Sequence, residues 1–100
     1  MKLPKHVRVA GYNCNIVRAP LDGDFGAFDA NTNTIEIDDA ISSDALEAST
    51  VLHETVHAIM HIYRIKVPDE EALAEILETA LLQFLKDNKT LVRAILKALK

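Results

Sequence analysis

The chain has 100 residues, of which 49% are hydrophobic and 26% charged, and its formal net charge is −4. These values indicate one globular domain, and the acidic balance argues against a general nucleic-acid binder, which usually presents a basic face. The lone Cys14 cannot form an internal disulfide, no apolar run approaches the ~18 residues of a membrane span, and the N-terminus lacks a signal-peptide pattern. We therefore expect a cytoplasmic protein with no membrane or nucleic-acid partner.

The first forty residues hold short β-branched runs separated by Gly, Pro, Asn and Asp, a pattern typical of strands and turns. His6–Val9 and Asn15–Arg18 each predict a strand. Phe25–Asp29 and Thr34–Asp38 flank a turn-rich tetrapeptide, so they predict a β-hairpin. We expect a small antiparallel three-stranded sheet from this part of the chain.

The rest of the chain has helical periodicity and almost no glycine. The first helix is predicted to begin at Ser43 or Asp44, and because it is apolar on most sides it has to be largely buried. A second helix is predicted from the Val67-Pro68-Asp69 segment to about Lys86. A third is predicted from Thr90 to Lys100.

Together these elements predict a single α+β domain over residues 1–100. Residues 1–40 form the sheet, and residues 43–100 form three helices, the first of which packs on the sheet. The apolar side of the third helix leaves open a homodimer, in which it docks on a second copy.

The strongest chemical signal is the segment His53-Glu54-Thr55-Val56-His57. Two histidines four residues apart on a helix project from one face, so both imidazoles can reach one zinc ion. Glu54 is rotated by about 100°, so it can approach a water held by the metal without binding the metal itself. In this arrangement zinc acidifies the water, and Glu54 takes its proton and delivers it to the leaving amine.

A catalytic zinc site usually has a third protein ligand. His61 continues the ladder of histidines, but on an unbroken helix it lies about 12 Å from His53 along the axis, too far to share one ion. The second helix offers Glu71 and Glu75 one turn apart on one face. We predict Glu71 as the ligand and Glu75 as the acceptor for the free N–H of a bound histidine, with the two roles exchanged as the alternative.

The nine residues HETVHAIMH at 53–61 resemble the zinc-peptidase motif of ImmA/IrrE-type proteins, and the chain looks like a short phage- or prophage-encoded form. The segment Glu71–Leu77 is similar to that family's E-x-x-A-N-x-F pattern, with Glu75 where Asn is usual. The resemblance implies a minimal gluzincin-like fold in which Glu71 is the third zinc ligand. It also implies that the edge strand of the sheet lies along the cleft and pairs with an extended substrate, and Thr34–Asp38 is the candidate strand.

The sequence therefore predicts a Zn²⁺-dependent metallopeptidase that acts on a protein or peptide, with Glu54 as general base and His53, His57 and Glu71 as metal ligands. One alternative is a non-catalytic phage or prophage accessory protein that uses the metal site for structure or partner binding. Another is a metal-free helical interaction module. The intact Glu54 favours catalysis, because a purely structural site needs no base beside the metal.

Overall fold

The computed structural model describes residues 3–99, apart from the side chains at 91, 94, 95 and 98, so Lys100, the predicted end of the third helix, lies outside the described residues. The elements in chain order are strands β1 (His6–Val9), β2 (Tyr12–Ala19), β3 (Gly26–Asp29) and β4 (Thr34–Asp38), then helices α1 (Asp44–Ile62), α2 (Glu70–Asp87) and α3 (Lys89–Ala98). The predicted α+β class is confirmed.

The sheet has four strands in the order β1-β2-β4-β3. β1 pairs with β2 and β3 with β4 in antiparallel fashion, whereas β2 and β4 are parallel, with Asn15 opposite Thr34. The prediction of three antiparallel strands is therefore wrong. Both arms of the predicted hairpin are full strands, and the two antiparallel pairs join through a parallel contact that local turn signals do not reveal.

The prediction that Thr34–Asp38 is the edge strand is also wrong, because β4 lies inside the sheet and the edges are β1 and β3. The reason is its pair of fully buried side chains, Ile35 and Ile37. An alternating strand with so strongly apolar a face is best covered when it has a neighbour on each side. The free edge beside α1 is β3.

Helix α1 lies between the sheet and α2. One of its faces joins the sheet core, whose buried members are Val9, Cys14, Ile16, Ile35, Ile37 and Ala58. The opposite face packs through Val56 and Met60 against Ala74 of α2, where the small side chain lets the two helices approach closely. Burial on both sides explains why the sequence of α1 is apolar around most of its circumference.

Two helices, α1 and α2, form the packed helical layer, so the prediction of a sheet packed on the first helix and two further helices is wrong. α3 continues from the end of α2 after the single residue Asn88, whose N–H donates to the Phe84 carbonyl at 3.0 Å. Within the part of the chain that the structure describes, no helix combines the length and apolar character needed to cross a membrane.

The turn after α1 sets the position of α2. Arg64 adopts a left-handed backbone (φ 57°), the Arg64 N–H donates to the His61 carbonyl, and the Ile65 N–H donates to the Met60 carbonyl at 2.8 Å. This pair of bonds is the Schellman motif that ends many helices. It reverses the chain so that α2, capped by Asp69, starts beside the end of α1 and runs back along it.

Gly26 marks the closest approach of β3 to α1. A Cβ at this position would lie 2.6 Å from Thr50 Cγ2 and 3.1 Å from Glu54 Cγ. The Thr50 hydroxyl donates to the Leu46 carbonyl at 2.7 Å, which holds the methyl group in place. The absence of a side chain therefore lets the free edge of the sheet lie directly over the middle of α1.

We expect Gly26→Ala to lower the free energy of unfolding by about 1–3 kcal/mol, the usual cost of overpacking. Thr50→Ser removes the opposing methyl group and keeps the hydroxyl, so the double variant should recover most of the loss. Urea denaturation of the wild type, both single variants and the double variant measures this coupling. Simple additivity of the two single effects would show that the close approach does not limit stability.

A bidentate ion pair links the sheet to the first turn of α1. Arg18 Nη1 and Nη2 donate to the Glu47 carboxylate at 2.7 and 2.9 Å, and Glu47 is buried. The hydrogen bonds from Arg18 lower the pKa of Glu47, against the opposing effect of burial. Paired carboxylates of this kind favour the folded state only while they are ionised.

The stabilisation from Glu47 should therefore depend on pH. It is fully present above the ordinary glutamate pKa of 4.5 and is lost as the pH falls through the lowered pKa of the folded state. We expect Glu47→Gln to destabilise the protein clearly at pH 7 and much less at pH 3, measured by urea denaturation. Glu75→Gln, at an exposed position, is the matched control and should show no such change with pH.

Candidate metal centre

His53, His57 and Glu71 converge on one point between α1 and α2. Each offers one ligand atom, and these three atoms all lie within 4.8 Å of one another, so the group could hold a metal ion. The His53 Nε2 atom lies 2.6 Å from one Glu71 oxygen, and the His57 Nε2 atom lies 3.0 Å from the other. The structure thus brings together all three residues that the sequence predicted as ligands.

The opposite nitrogen of each imidazole contacts a second acid of α2. His53 Nδ1 lies 3.0 Å from Glu78 Oε1, and His57 Nδ1 lies 2.6 Å from Glu70 Oε1. Carboxylates in this position hold a metal-binding histidine in the tautomer whose Nε2 lone pair faces the metal. The side chains that orient the rings are therefore Glu78 and Glu70.

The prediction that Glu75 fills this role is wrong, since Glu78 and Glu70 occupy the two Nδ1 positions. Glu75 lines the neighbouring cavity instead. Because α1 and α2 are antiparallel, a residue earlier in α1 lies beside a residue later in α2. His57 is therefore beside Glu70, and His53 is beside Glu78, which comes after Glu75. That offset depends on where the chain turns after α1, and the sequence did not define it.

Each of the two imidazoles lies between two carboxylates. A neutral imidazole has only one N–H, so it cannot donate to an acid on both sides. If the single N–H of each ring lies at Nδ1, then Nε2 needs a positive group between it and Glu71. That group is either a further proton or one metal ion shared by both rings. The donor set of two imidazole nitrogens and one carboxylate could hold such a metal ion.

The negative charges around His53 also favour a positive group on its ring. Burial opposes protonation of this ring, but the hydrogen bond with Glu78 and the negative charges of Glu71 and Glu54 outweigh it, so the pKa of His53 is raised. A site that stabilises positive charge on the ring also attracts a cation beside it. Metal binding then competes with protons for Nε2, and we expect it to release them.

Glu54 lies beside this group in an unusual state. The residue is only 6% exposed, and among the described residues its carboxylate forms no hydrogen bond, but its oxygens are not fully buried and open to the neighbouring cavity. Burial is the largest cause of its raised pKa, although His53 and His57 act in the opposite direction. A carboxylate that is partly desolvated and opens into a cavity is suited to bind something that enters the cavity.

Two cavities follow one another along α1, on either side of the three predicted ligands. The first, of about 540 Å³, is lined by Asp24–Gly26 and by acids and histidine of the two helices: His53, Glu54, Glu71, Glu75 and Glu78. The second, of about 830 Å³, is lined by Phe28, Ala30, His57 and the turn after α1. Since β3 contributes to both, the candidate site lies in a cleft with α1 as its floor and with β3 and α2 as its walls.

His61 is one turn beyond His57 and is not part of the metal-binding group. Its ring packs against Phe28, with the two centroids 5.9 Å apart. The sequence-based exclusion of His61 as a ligand is therefore consistent with the geometry. By contrast, the ring centroids of His53 and His57 are 5.0 Å apart, close enough for the two rings to share one ion.

Sequence reasoning missed the roles of three contributors to the site, Glu70, Glu78 and Gly26. Acids in the first turn of a helix are common for electrostatic reasons, so Glu70 carried no distinctive signal. Gly26 lies in the predicted hairpin arm Phe25–Asp29, and only the packing of β3 on α1 shows why a side chain is excluded there.

The fold and the site together define an α+β domain with a His-His-Glu group that could hold a metal ion beside a buried carboxylate. Comparison of the chain with protein-family models, curated proteins and solved structures gives no match.

Proposed function

We propose that this protein is a zinc-dependent metallopeptidase. The observation that carries the proposal is the Glu54 carboxylate, which opens to the cavity next to the His-His-Glu group, in a residue only 6% exposed, and forms no hydrogen bond among the described residues. A structural metal site or a helical interaction surface gives no reason to place a partly desolvated carboxylate without a hydrogen bond beside the ligands. A hydrolytic site does, because the carboxylate receives a proton during the reaction.

Zinc is the metal that best fits this donor set, since imidazole nitrogens and one carboxylate form the ligands of several catalytic zinc sites. His53, His57 and Glu71 would hold it. When bound there, zinc supplies a Lewis acid that polarises a peptide carbonyl and lowers the pKa of water. Glu78 and Glu70 accept hydrogen bonds from the two Nδ1–H groups and so keep both Nε2 atoms directed at the metal position.

Glu54 acts as the general base. Its carboxylate takes a proton from the attacking water, and the resulting carboxylic acid gives that proton to the nitrogen of the leaving amine. The largely buried environment favours this exchange, because burial makes the ionised form of Glu54 less stable and the protonated form easier to reach. Glu54 is thereby suited both to accept the proton and to release it later in the reaction.

The free edge of β3 is the proposed substrate-binding strand. The Asp38 N–H donates to the Phe25 carbonyl at 2.8 Å, so by alternation the main-chain groups of Ala27 also face β4 and those of Gly26 and Phe28 face the cleft. An extended peptide can pair with these groups as an additional strand. The missing Gly26 side chain places that peptide close to Glu54.

A non-catalytic role in partner binding is the second candidate. It is favoured by an apolar row on α2, where Leu81, Phe84 and Leu85 are each at least 40% exposed. Such a row is a typical docking surface for another protein. It lies beyond the metal-binding group along α2, so it is compatible with either function.

The proposed activity is tested by incubating the full-length protein, loaded with one equivalent of zinc, with a mixture of unstructured peptides. We expect new peptide termini, detected by mass spectrometry, that disappear with a chelator and return when zinc is added back. Zinc binding without cleavage of any peptide would support the non-catalytic candidate. Failure to bind zinc would contradict both readings of the metal centre.

A further inference from the structure

We propose that the cleft selects peptides by the order of their charges, with an acidic residue on the N-terminal side of the reacting bond and a basic residue on the C-terminal side. The inference rests on the proposed peptidase function and adds a substrate class to it. It comes from the opposite charges of the two cavities on either side of the metal-binding group.

The smaller cavity is strongly acidic. Besides Glu54 and Glu71, three further acids line it, and none of the described residues lining it is Lys or Arg. The three further acids are Asp24, Glu75 and Glu78. Since Glu54, Glu71 and Glu78 already serve the proposed metal centre, Asp24 and Glu75 are the acids of this cavity that remain for the substrate. A lysine or arginine side chain is the natural occupant, since its positive head can bind several carboxylates while its stem covers apolar surface.

The larger cavity has the opposite character at its outer end. Arg64 and Lys66 line it over an apolar wall that includes Met60 and Ile65, and its one acid, Glu70, is paired with His57 Nδ1 at 2.6 Å. Arg64 lies in the left-handed region (φ 57°), where glycine is favoured and a larger residue is strained. Strain of this kind tends to persist where the side chain has a use, and here that side chain lines the cleft. An acidic side chain of the peptide is the complementary occupant.

The direction of β3 determines which of the two charges comes first along a bound peptide. β3 runs from the acidic cavity, at Gly26, toward the basic cavity, at Phe28. Antiparallel pairing is the more stable choice for an added strand. A peptide paired in that way has its N-terminal part in the basic cavity and its C-terminal part in the acidic cavity, so glutamate has to precede lysine.

The spacing of the two charges follows from α1. Its residues in the acidic cavity centre on Thr50, and those in the larger cavity centre on Met60. Ten residues of helix span about 15 Å, which an extended peptide covers in about four to five residues. Successive side chains of a strand point to opposite faces, so two side chains that enter cavities on the same side are an even number of positions apart. The preferred substrate therefore has glutamate and lysine about four positions apart, with the reacting bond between them.

The test uses two labelled peptides of identical composition, with glutamate and lysine four positions apart and in opposite order. Because both peptides have the same net charge, non-specific attraction to the protein is equal. Binding is measured by fluorescence anisotropy on zinc-loaded Glu54→Gln protein, which holds the peptide without consuming it. We expect the glutamate-first peptide to bind about 5–10-fold more tightly at low salt and the difference to shrink at 1 M salt, where charges are screened.

Charge reversal at the basic end is the matched variant. Arg64→Glu together with Lys66→Glu should abolish or invert the preference, and Lys66→Glu alone, which leaves the Arg64 turn intact, should weaken it. Circular dichroism establishes that each variant is folded. Equal binding of the two peptides, no binding of either, or a preference that survives both variants would overturn the proposal.

Cleavage by the wild-type protein separates this inference from the peptidase proposal. Order-dependent binding without cleavage of either peptide would contradict the peptidase proposal and leave the charge order of the cleft supported. Equal cleavage of both peptides would support the peptidase and overturn the charge order.

Discussion

Glu54→Gln should lower peptide hydrolysis by about 10²–10⁴-fold, the usual contribution of a general base, and leave the zinc content unchanged. Glutamine has nearly the same shape as glutamate, but its amide cannot accept a proton from water at neutral pH. The metal ligands are His53, His57 and Glu71 in this assignment, so a change at position 54 removes none of them. The experiment compares kcat/KM for a cleaved peptide with zinc stoichiometry from elemental analysis.

Glu75→Gln is the control for that experiment. Glu75 lines the same cavity as Glu54, and its replacement by glutamine removes the same charge. It is exposed, and among the described residues the acids paired with the two rings are Glu70, Glu71 and Glu78. We expect it to retain hydrolysis within the few-fold change allowed by its part in substrate binding. A Glu54→Gln protein that still hydrolyses peptides at the wild-type rate would exclude Glu54 as the base.

Local signals predicted the helices and the metal-binding group well. Ser43 caps α1 as its sequence suggested, accepting a hydrogen bond from the Leu46 N–H. The spacing of His53 and His57 fixes their common face on any helix, so their convergence needed no knowledge of the tertiary structure. Spacing alone left Glu71 and Glu75 as alternatives for the third ligand, and the resemblance of Glu71–Leu77 to the E-x-x-A-N-x-F pattern favoured Glu71.

The sheet and the surroundings of the site could not be predicted in the same way. The parallel contact of β2 with β4 joins residues far apart in sequence, and no turn residue encodes it. Whether β4 lies at the edge or inside depends on that contact. For the same reason the substrate-binding strand was assigned to Thr34–Asp38, whereas the free edge over α1 belongs to β3.

Glu71→Gln should weaken zinc binding by more than about 100-fold, because even the loss of a residue that only orients a ligand costs about 10–100-fold. Glu71 is the carboxylate that approaches both Nε2 atoms, at 2.6 and 3.0 Å. Replacing its charged oxygens with a neutral amide removes one of three ligands. Affinity is measured by competition with a chromophoric chelator at constant pH, since protons compete for the same nitrogens.

Two further substitutions on α2 rank the roles of its acids. Glu78→Gln removes the acceptor for His53 Nδ1 but no ligand, so zinc affinity should fall by about 10–100-fold. Glu75→Gln should leave the affinity unchanged. The order Glu71, Glu78, Glu75 thus follows from distance to the rings, whereas a larger loss at Glu75 than at Glu71 would transfer the third ligand to Glu75. That outcome would require α2 to rotate by about 40° and to shift by about 6 Å along its axis.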